Sequence, residues 1–283
     1  MANITEKSAE RLASEKLTIK NREGKRVVVL IERSPRQKGL AFVMHGLSGN
    51  KEQPHIIAAA KVFLSKGYTV VRFDTTNTFG ESEGKYEDAT VTNYYSDLVD
   101  VIRWAGSQSW YEERFVLAGH SLGGICVGLY AERHPDKVAG LALLSSVVSG
   151  KLSLETAKYK DTAAECRKTG WIEEKSEARH GIVKRLKWSH MEDRMKYDLR
   201  EQSDAIVMPV LFVVGDKDDS TPLEHLKVLF EEIPGNKKQL SVLPGVPHTY
   251  REQAHLALFS RILSEWIDSS LYPKSTSKKS KQE

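Results

Sequence analysis

The sequence has few cysteines and no long apolar run. Only Cys126 and Cys166 occur among the 283 residues, which argues against a disulfide framework. No stretch approaches the length needed to span a bilayer, and no apolar segment precedes a cleavage-like site near the amino terminus. We therefore expect a cytoplasmic protein without an integral membrane segment, and we expect Cys126 to lie in the core.

Net charge and metal-binding motifs are equally scarce. The 42 basic and 38 acidic residues leave a formal net charge of +4, which gives no case for a nucleic-acid-binding stripe. The nine histidines form no H-E-x-x-H motif, two cysteines are too few for a zinc motif, and glycine-rich phosphate loops are absent. We expect no metal, no cofactor and no nucleic-acid partner, and the sequence leaves the oligomeric state open.

Apolar runs and helix-period segments alternate along most of the chain. This alternation predicts an α/β fold, with a mostly parallel sheet covered by helices on both faces and ligands at the carboxyl ends of the strands. The segments 17–20 and 26–31 flank a turn and predict a hairpin. Further strands are predicted over residues 40–44, 69–73, 115–118, 138–144, 210–214 and 239–243, and helices over residues 55–64 and 94–104.

A glycine-rich turn follows the predicted strand 115–118. Gly119-His120-Ser121-Leu122-Gly123 matches G-x-S-x-G, the nucleophile elbow in which a strand turns sharply into a helix. The two glycines let the neighbouring backbones pass close to the strained turn that presents the serine hydroxyl. We predict that Ser121 is a catalytic nucleophile rather than part of a structural turn.

A serine hydroxyl is a weak nucleophile, so it needs a base to accept its proton and an acid to orient that base. His248 follows the last predicted strand and is the candidate base. The chain order serine, acid, histidine is the order of the α/β-hydrolases. Three carboxylates that follow the preceding strand are candidate acids: Asp216, Asp218 and Asp219.

Over roughly residues 17–268, the chain resembles the α/β-hydrolases, and within them the small cinnamoyl and feruloyl esterases. The resemblance is carried by residues 45–51, by residues 80–87 with Thr90 and Val91, and by the elbow. It implies the α/β-hydrolase fold with a central sheet of about eight strands. The family's G-x-x-D spacing, counted from Gly215, implies Asp218 as the acid, and the same resemblance implies His248 as the base.

The fold also implies two backbone N–H donors for the oxyanion that forms when a carbonyl is attacked. One comes from the residue after the nucleophile and the other from the loop after an earlier strand, here Leu122 and Leu47. We expect His45 to brace the second loop rather than to catalyse. Residues 74–82 depart from the family's D-x-x-G-x-G-x-S, because the first glycine is missing and the loop is one residue longer.

Residues 151–208 interrupt the alternation and are too long for an ordinary connection, so we predict a small helical cap over the nucleophile. The α/β core is then 16–150 and 209–270. Trp171 and Trp188 in the cap are candidate substrate contacts, with packing inside the cap as the alternative. Lys184, Arg185 and Lys187 are expected on a solvated helix face. We expect 1–15 to be a polar segment or short helix, and 271–283 to be a disordered basic tail.

These features predict a serine esterase that acts on a small-molecule ester of a small or medium acyl or aryl acid through an acyl-enzyme. Serine aminopeptidase or amidase activity and monoacylglycerol hydrolysis are alternative reactions of the same machinery. A non-catalytic ligand receptor built on a hydrolase scaffold is the alternative from a different class.

Overall fold

An eight-stranded sheet forms the centre of the computed structural model, which describes residues 13–175 and 183–272. Its strand order is β1-β2-β4-β3-β5-β6-β9-β10. The strands are β1 (Ala13–Lys20), β2 (Arg26–Arg33), β3 (Gly39–Met44), β4 (Tyr68–Phe73), β5 (Phe115–His120), β6 (Val138–Leu144), β9 (Val210–Lys217) and β10 (Lys238–Pro247).

Most neighbouring strands of this sheet run parallel. The antiparallel pairs are β1 with β2 and β2 with β4, at one edge of the sheet. β4, β5 and most of β3 are buried along their whole length, as expected for parallel strands covered on both faces. The carboxyl ends of β3, β5, β6, β9 and β10 therefore lie along one side of the molecule, where connecting loops can meet.

Helices cover both faces of the sheet and divide the core in two. One apolar cluster packs α1 (Pro54–Ser65) and α8 (Gln253–Trp266) against one face. The other packs α2 (Val91–Ala105), α3 (Leu122–Arg133) and α7 (Leu223–Glu232) against the opposite face. Cys126 is buried in this second cluster, as expected. None of the helices in the described residues is long and apolar enough for a membrane span.

The insertion 151–208 contains short helices and also a hairpin that the sequence analysis did not anticipate. Its described elements are α4 (Gly150–Ser153), α5 (Ala163–Thr169), β7 (Trp171–Lys175), β8 (Val183–Lys187), α6 (Ser189–Arg194) and a 3₁₀ helix, Ser203–Ala205. The expectation of a helix face for Lys184, Arg185 and Lys187 is wrong, because all three lie on β8, which pairs antiparallel with β7.

The segments at the two ends of the chain differ partly from expectation. Residues 13–15, assigned to a polar segment or short helix, belong to β1 and pair with β2. Leu271, assigned to the tail, packs against the apolar core, and the hydroxyl of Tyr272, also assigned to the tail, donates to the Lys38 carbonyl oxygen at 2.9 Å. The rest of the two terminal predictions, 1–12 and 273–283, lies outside the described residues.

Candidate active site

Ser121 occupies the sharp turn between β5 and α3. Its backbone has φ 54° and ψ −118°, a left-handed conformation that costs energy for a residue with a Cβ. Two hydrogen bonds hold the turn: the Ser121 amide donates to the Leu144 carbonyl oxygen at 2.9 Å, and the Val147 amide donates to the Ser121 carbonyl oxygen at 3.1 Å. The strain is thereby held in place by the end of β6.

The glycines of the elbow are required by close backbone approach. A Cβ at Gly119 would collide with the carbonyl group of Gly123, and a Cβ at Gly123 would collide with the carbonyl oxygen of His45. A Cβ at Gly46, in the loop after β3, would lie 2.8 Å from the Ser121 Cβ. The steric reason for the G-x-S-x-G pattern is therefore present in the structure.

Three residues that each follow the end of a strand form one chain of hydrogen bonds. His248, directly after β10, has its Nε2 2.9 Å from the Ser121 Oγ. Its Nδ1 lies 2.9 Å from Oδ2 and 3.0 Å from Oδ1 of Asp218, which directly follows β9. The structure thus brings the predicted serine, acid and base together, and their catalytic roles stay a prediction.

The structure also distinguishes the three candidate carboxylates. Asp218 is buried and accepts hydrogen bonds from the Ser220 amide at 3.0 Å and the Thr221 amide at 2.8 Å. Asp216 and Asp219 are exposed; Asp216 accepts from the Gly245 amide, and Asp219 accepts from the Ser220 hydroxyl. Of the three, Asp218 is the one hydrogen-bonded to His248.

The surroundings of Asp218 favour its ionised form. Burial alone would raise the pKa of this carboxyl, but the hydrogen bond and charge of His248 and the Thr221 amide outweigh it, so the pKa is lowered. The Thr221 hydroxyl oxygen lies 2.9 Å from Asp218 Oδ2 and 2.9 Å from the Ser145 carbonyl oxygen. Sequence reasoning assigned no role to Thr221, which follows Asp218 in the same loop, or to Ser145, which only the fold brings to that loop.

The loop after β3 lies beside the serine. Among the backbone hydrogen bonds of the described residues, none is donated by the Leu47 amide. Leu122 is the first residue of α3, where an N–H group has no acceptor within its own helix. Because Gly46 packs against Ser121, the loop that carries Leu47 and the first residue of α3 meet at the serine. Their role as oxyanion donors stays a prediction.

His45 is buried and joins two loops. Its Nε2 accepts a hydrogen bond from the Thr75 amide at 3.2 Å, so the proton of the neutral ring is on Nδ1, which donates to the Gly46 carbonyl oxygen at 2.8 Å. Burial lowers the pKa of His45, which favours the neutral form. These contacts agree with the expectation that His45 braces the loop.

The loop 74–82 compensates for its missing glycine. Asn77 stands where the family's first glycine is expected and has φ 59°, the left-handed region that asparagine tolerates better than most residues. Its side-chain Nδ2 donates to the Asn93 Oδ1 at 3.1 Å. A Cβ at Gly80 would collide with the carboxyl group of Asp74, so the remaining glycine is needed where it stands.

The two tryptophans of the insertion differ in burial. Trp188 is buried in the larger apolar cluster, with the Arg167 guanidinium 5.7 Å from its ring centroid. Trp171 is half-buried, and the Arg185 guanidinium lies 4.2 Å from its ring centroid. These contacts hold parts of the insertion together, and a role for either ring in substrate binding stays a proposal.

Within 13–175 and 183–272, no three His, Cys, Asp or Glu side chains are grouped so that they could hold a metal ion. The Ser121, His248 and Asp218 side chains are instead hydrogen-bonded to one another.

Comparison with known proteins gives consistent relatives. A family model described as alpha/beta hydrolase fold matches residues 42–160. The mitochondrial palmitoyl-protein thioesterase ABHD10 of Bos taurus is 23% identical over 231 residues, which cover 81% of this chain and 73% of the relative. The thermostable monoacylglycerol lipase of Bacillus sp. (strain H-257) is 24% identical over 220 residues, covering 73% of this chain and 81% of the relative.

A solved structure shows the same architecture. Est1E from Butyrivibrio proteoclasticus, with ferulic acid bound, superposes with a TM-score of 0.72 at 22% identity, covering 90% of this chain and 99% of that chain. The sequence similarity to the thioesterase and the lipase supports the interpretation that this chain is a hydrolase. The resemblance inferred from the motifs is confirmed, and this chain has the α/β-hydrolase fold.

Proposed function

We propose that this chain is a serine hydrolase that cleaves a carboxylic ester of a small or medium acyl or aryl acid through an acyl-enzyme. The observation that carries the proposal is the continuous chain of hydrogen bonds from Asp218 through His248 to Ser121. In this proposal Ser121, His248 and Asp218 serve as nucleophile, base and orienting acid, an arrangement that supports acyl transfer.

In the proposed acylation step, His248 Nε2 accepts the Ser121 hydroxyl proton while Oγ attacks the ester carbonyl carbon. The resulting imidazolium is stabilised by the Asp218 carboxylate, whose lowered pKa keeps it ionised. His248 then gives the proton to the leaving alkoxide, and the alcohol departs. In the second half, a water attacks the acyl-enzyme with His248 again as base, which releases the acid and restores the serine.

The negative charge that develops on the carbonyl oxygen needs donors that are already in place. In this proposal, the Leu122 and Leu47 amides serve as those donors, and loss of one such donor typically costs about 3 to 4 kcal/mol of transition-state stabilisation. Gly46 allows the loop after β3 to approach Ser121 closely enough for this. His45 supports the loop by its hydrogen bond to the Gly46 carbonyl oxygen.

Thioester hydrolysis is the second candidate function. It is favoured by the similarity, over 81% of this chain, to a protein described as a palmitoyl-protein thioesterase. The same serine machinery acts on both ester classes, because each passes through a tetrahedral oxyanion and an acyl-enzyme. Monoacylglycerol hydrolysis remains an alternative, supported by the second curated relative.

A substrate panel tests the proposal. Purified protein should be assayed with a short acetyl aryl ester, a medium-chain aryl ester, a medium-chain acyl thioester, a monoacylglycerol and an acyl anilide, each beside Ser121→Ala. We expect Ser121-dependent turnover of an aryl ester. Preference for the thioester by more than about 1.4 kcal/mol in kcat/KM, a factor of ten, would favour the second candidate. Turnover of none would support the receptor alternative.

The cellular context stays a prediction. We keep the cytoplasm as the expected location, while the bovine relative is described as mitochondrial. The proposed partner is a small-molecule ester, with the half-buried Trp171 as the proposed contact of its acyl group, whereas Trp188 is buried in the apolar cluster and is expected to pack there.

A further inference from the structure

His120, the last residue of β5, is buried beside the two loops that meet at Ser121. Its Nε2 lies 2.9 Å from the backbone carbonyl oxygen of His248. The loop after β3 is also close, since a Cβ at Gly46 would lie 3.3 Å from the Nδ1 of His120. His120 therefore contacts the loop after β10, which carries His248, and packs against the loop after β3, which carries Leu47. Its neighbour in the chain is the proposed nucleophile, Ser121.

The hydrogen bond fixes the protonation state of the His120 ring. A carbonyl oxygen only accepts, so Nε2 carries the proton and donates it to the His248 carbonyl oxygen. Burial, helped by the nearby His248, lowers the pKa of His120 to about 3. The ring is then neutral at physiological pH, and it adds no second positive charge when His248 takes the serine proton.

Neighbouring rings hold His120 in this orientation. The fully buried His55 lies with its ring centroid 4.2 Å from that of His120, at an interplanar angle of 52°. Tyr250 approaches edge-on, with its ring centroid 6.0 Å away at 79°. The Tyr250 hydroxyl is itself anchored 3.0 Å from the Ser145 Oγ. The direction of the Nε2–H is therefore set by packing from α1 and from the loop after β10.

We propose that His120 is a positioning residue: its Nε2–H holds the backbone of His248 so that the imidazole stays between Asp218 and Ser121. The inference rests on the proposed serine-hydrolase function. Asp218 and Ser121 each hold one ring nitrogen of His248, and His120 adds a hold on its main chain. A displacement of about 1 Å can cost a reacting group roughly a hundredfold in rate, so the loss should appear in kcat.

Matched variants of His120 separate the effect of its hydrogen bond from the effect of its ring. His120→Phe keeps a planar ring and removes the donor, whereas His120→Gln keeps a neutral N–H donor at similar reach. The control is His134→Phe, because the His134 ring packs against that of Tyr130, 4.6 Å between centroids, at the far end of α3. We expect kcat on an aryl ester to fall about 10- to 100-fold in His120→Phe, with KM changed less than about threefold. His120→Gln should recover most of the loss, and His134→Phe should match the wild type.

A second readout needs no substrate. The proton NMR signal of the His248 Nδ1–H bonded to Asp218, assigned by its absence in His248→Gln, should persist in His120→Gln and disappear in His120→Phe. Circular dichroism and thermal unfolding establish that each variant is folded. If His120→Phe does not fold, His120→Asn, whose amide is one methylene too short to reach, is compared with His120→Gln instead.

The outcomes distinguish this inference from the function on which it rests. A folded His120→Phe (or His120→Asn) that keeps both the NMR signal and kcat overturns the positioning role. Loss of kcat without recovery in His120→Gln also overturns it, because the donor would then not be the cause. A wild-type chain that turns over no ester, while the NMR signal still depends on His120, refutes the proposed hydrolase function and leaves the positioning role standing.

Discussion

The strand ends and the insertion 151–208 differ in how their residues are held. At the strand ends, Ser121, Asp218 and His248 directly follow β5, β9 and β10, so the sheet fixes where each side chain begins. In the insertion, short helices and one hairpin lie outside the main sheet, and contacts such as those of Arg167 with Trp188 and Arg185 with Trp171 link its parts. The main sheet therefore fixes the strand ends, whereas the described strands of the insertion form a separate two-stranded sheet.

The hairpin shows why the insertion is harder to read. Glu173 and Glu174 on β7 stand opposite Arg185 and Lys184 on β8, and the Arg185 Nε lies 2.9 Å from a Glu173 carboxylate oxygen. Cross-strand charge pairs of this kind stabilise two-stranded sheets modestly. In the sequence, the basic residues stand apart from the acidic ones, so they resemble a solvated helix face. Only the pairing register reveals the strand.

Replacing Ser121 should have the largest effect, and it tests directly whether the strand ends, rather than the insertion, carry the catalytic groups. Ser121→Ala should lower kcat on an aryl ester by roughly a millionfold while the chain stays folded, because no other group in the proposed mechanism attacks the carbonyl. Cys166→Ser is the matched control from the insertion and should keep wild-type activity. Steady-state kinetics and circular dichroism measure both. If Ser121→Ala kept more than about 1% of the wild-type activity, the serine at the end of β5 would not be the nucleophile.

Replacing the proposed acid should have the next largest effect. Because three carboxylates lie in the same loop, their substitutions can be compared directly. Asp218→Asn should lower kcat by about ten-thousandfold, because an amide stabilises the wrong tautomer of His248. Asp216→Asn and Asp219→Asn, at exposed positions of the same loop, should lose less than about tenfold. The three variants are compared in one kinetic assay. A collapse in Asp216→Asn with an active Asp218→Asn would reassign the acid.

The sequence allowed the local parts of the site to be predicted and not the supporting contacts. The elbow could be recognised because its glycines and serine lie within one short segment, residues 119–123, and the choice of Asp218 among three carboxylates came from the resemblance. Thr221 reaches Ser145 across 76 positions and His120 reaches the His248 carbonyl across 128. Contacts at such separations depend on the order of the strands in the sheet, which no short motif encodes.

Substitutions of the two tryptophans distinguish packing within the insertion from the proposed contact with substrate. Trp188→Ala should lower the free energy of unfolding by about 3 to 5 kcal/mol, because its ring is buried in the core cluster. Trp171→Ala, at a half-buried position, should lower kcat/KM for an aryl ester by about 1 to 3 kcal/mol and leave an acetyl ester nearly unchanged. Equal losses on both esters would mean that Trp171 only holds the insertion together. Thermal unfolding and the two esters give the comparison.

The change Glu132→Gln tests the contact of α3 with the insertion, and its effect on stability should be the smallest of those predicted. Burial, with the charges of Glu201 and Asp198, raises the pKa of this carboxyl to about 8, although Arg133 lowers it. The folded state therefore binds the proton more tightly than the unfolded state does, and its stability falls as pH rises from about 4.5 to about 8. Glu132→Gln should match the wild type below that range and be more stable above it.

Unfolding midpoints in urea across this pH range measure the difference. Glu201→Gln, which changes an exposed neighbour, is the control and should reproduce only a small part of the gain. A Glu132→Gln variant whose advantage is independent of pH would show that the carboxyl does not titrate in this range.

Covalent labelling tests the proposed mechanism most directly, since that mechanism requires one activated serine, at the end of β5. The wild-type chain should be treated with a fluorophosphonate and its peptides mapped by mass spectrometry, with Ser121→Ala and His248→Ala treated in parallel. We predict one adduct per chain on Ser121, none in Ser121→Ala, and labelling slowed at least about a thousandfold in His248→Ala. An adduct on another residue, or a chain that hydrolyses esters while Ser121 stays unlabelled, would contradict the account.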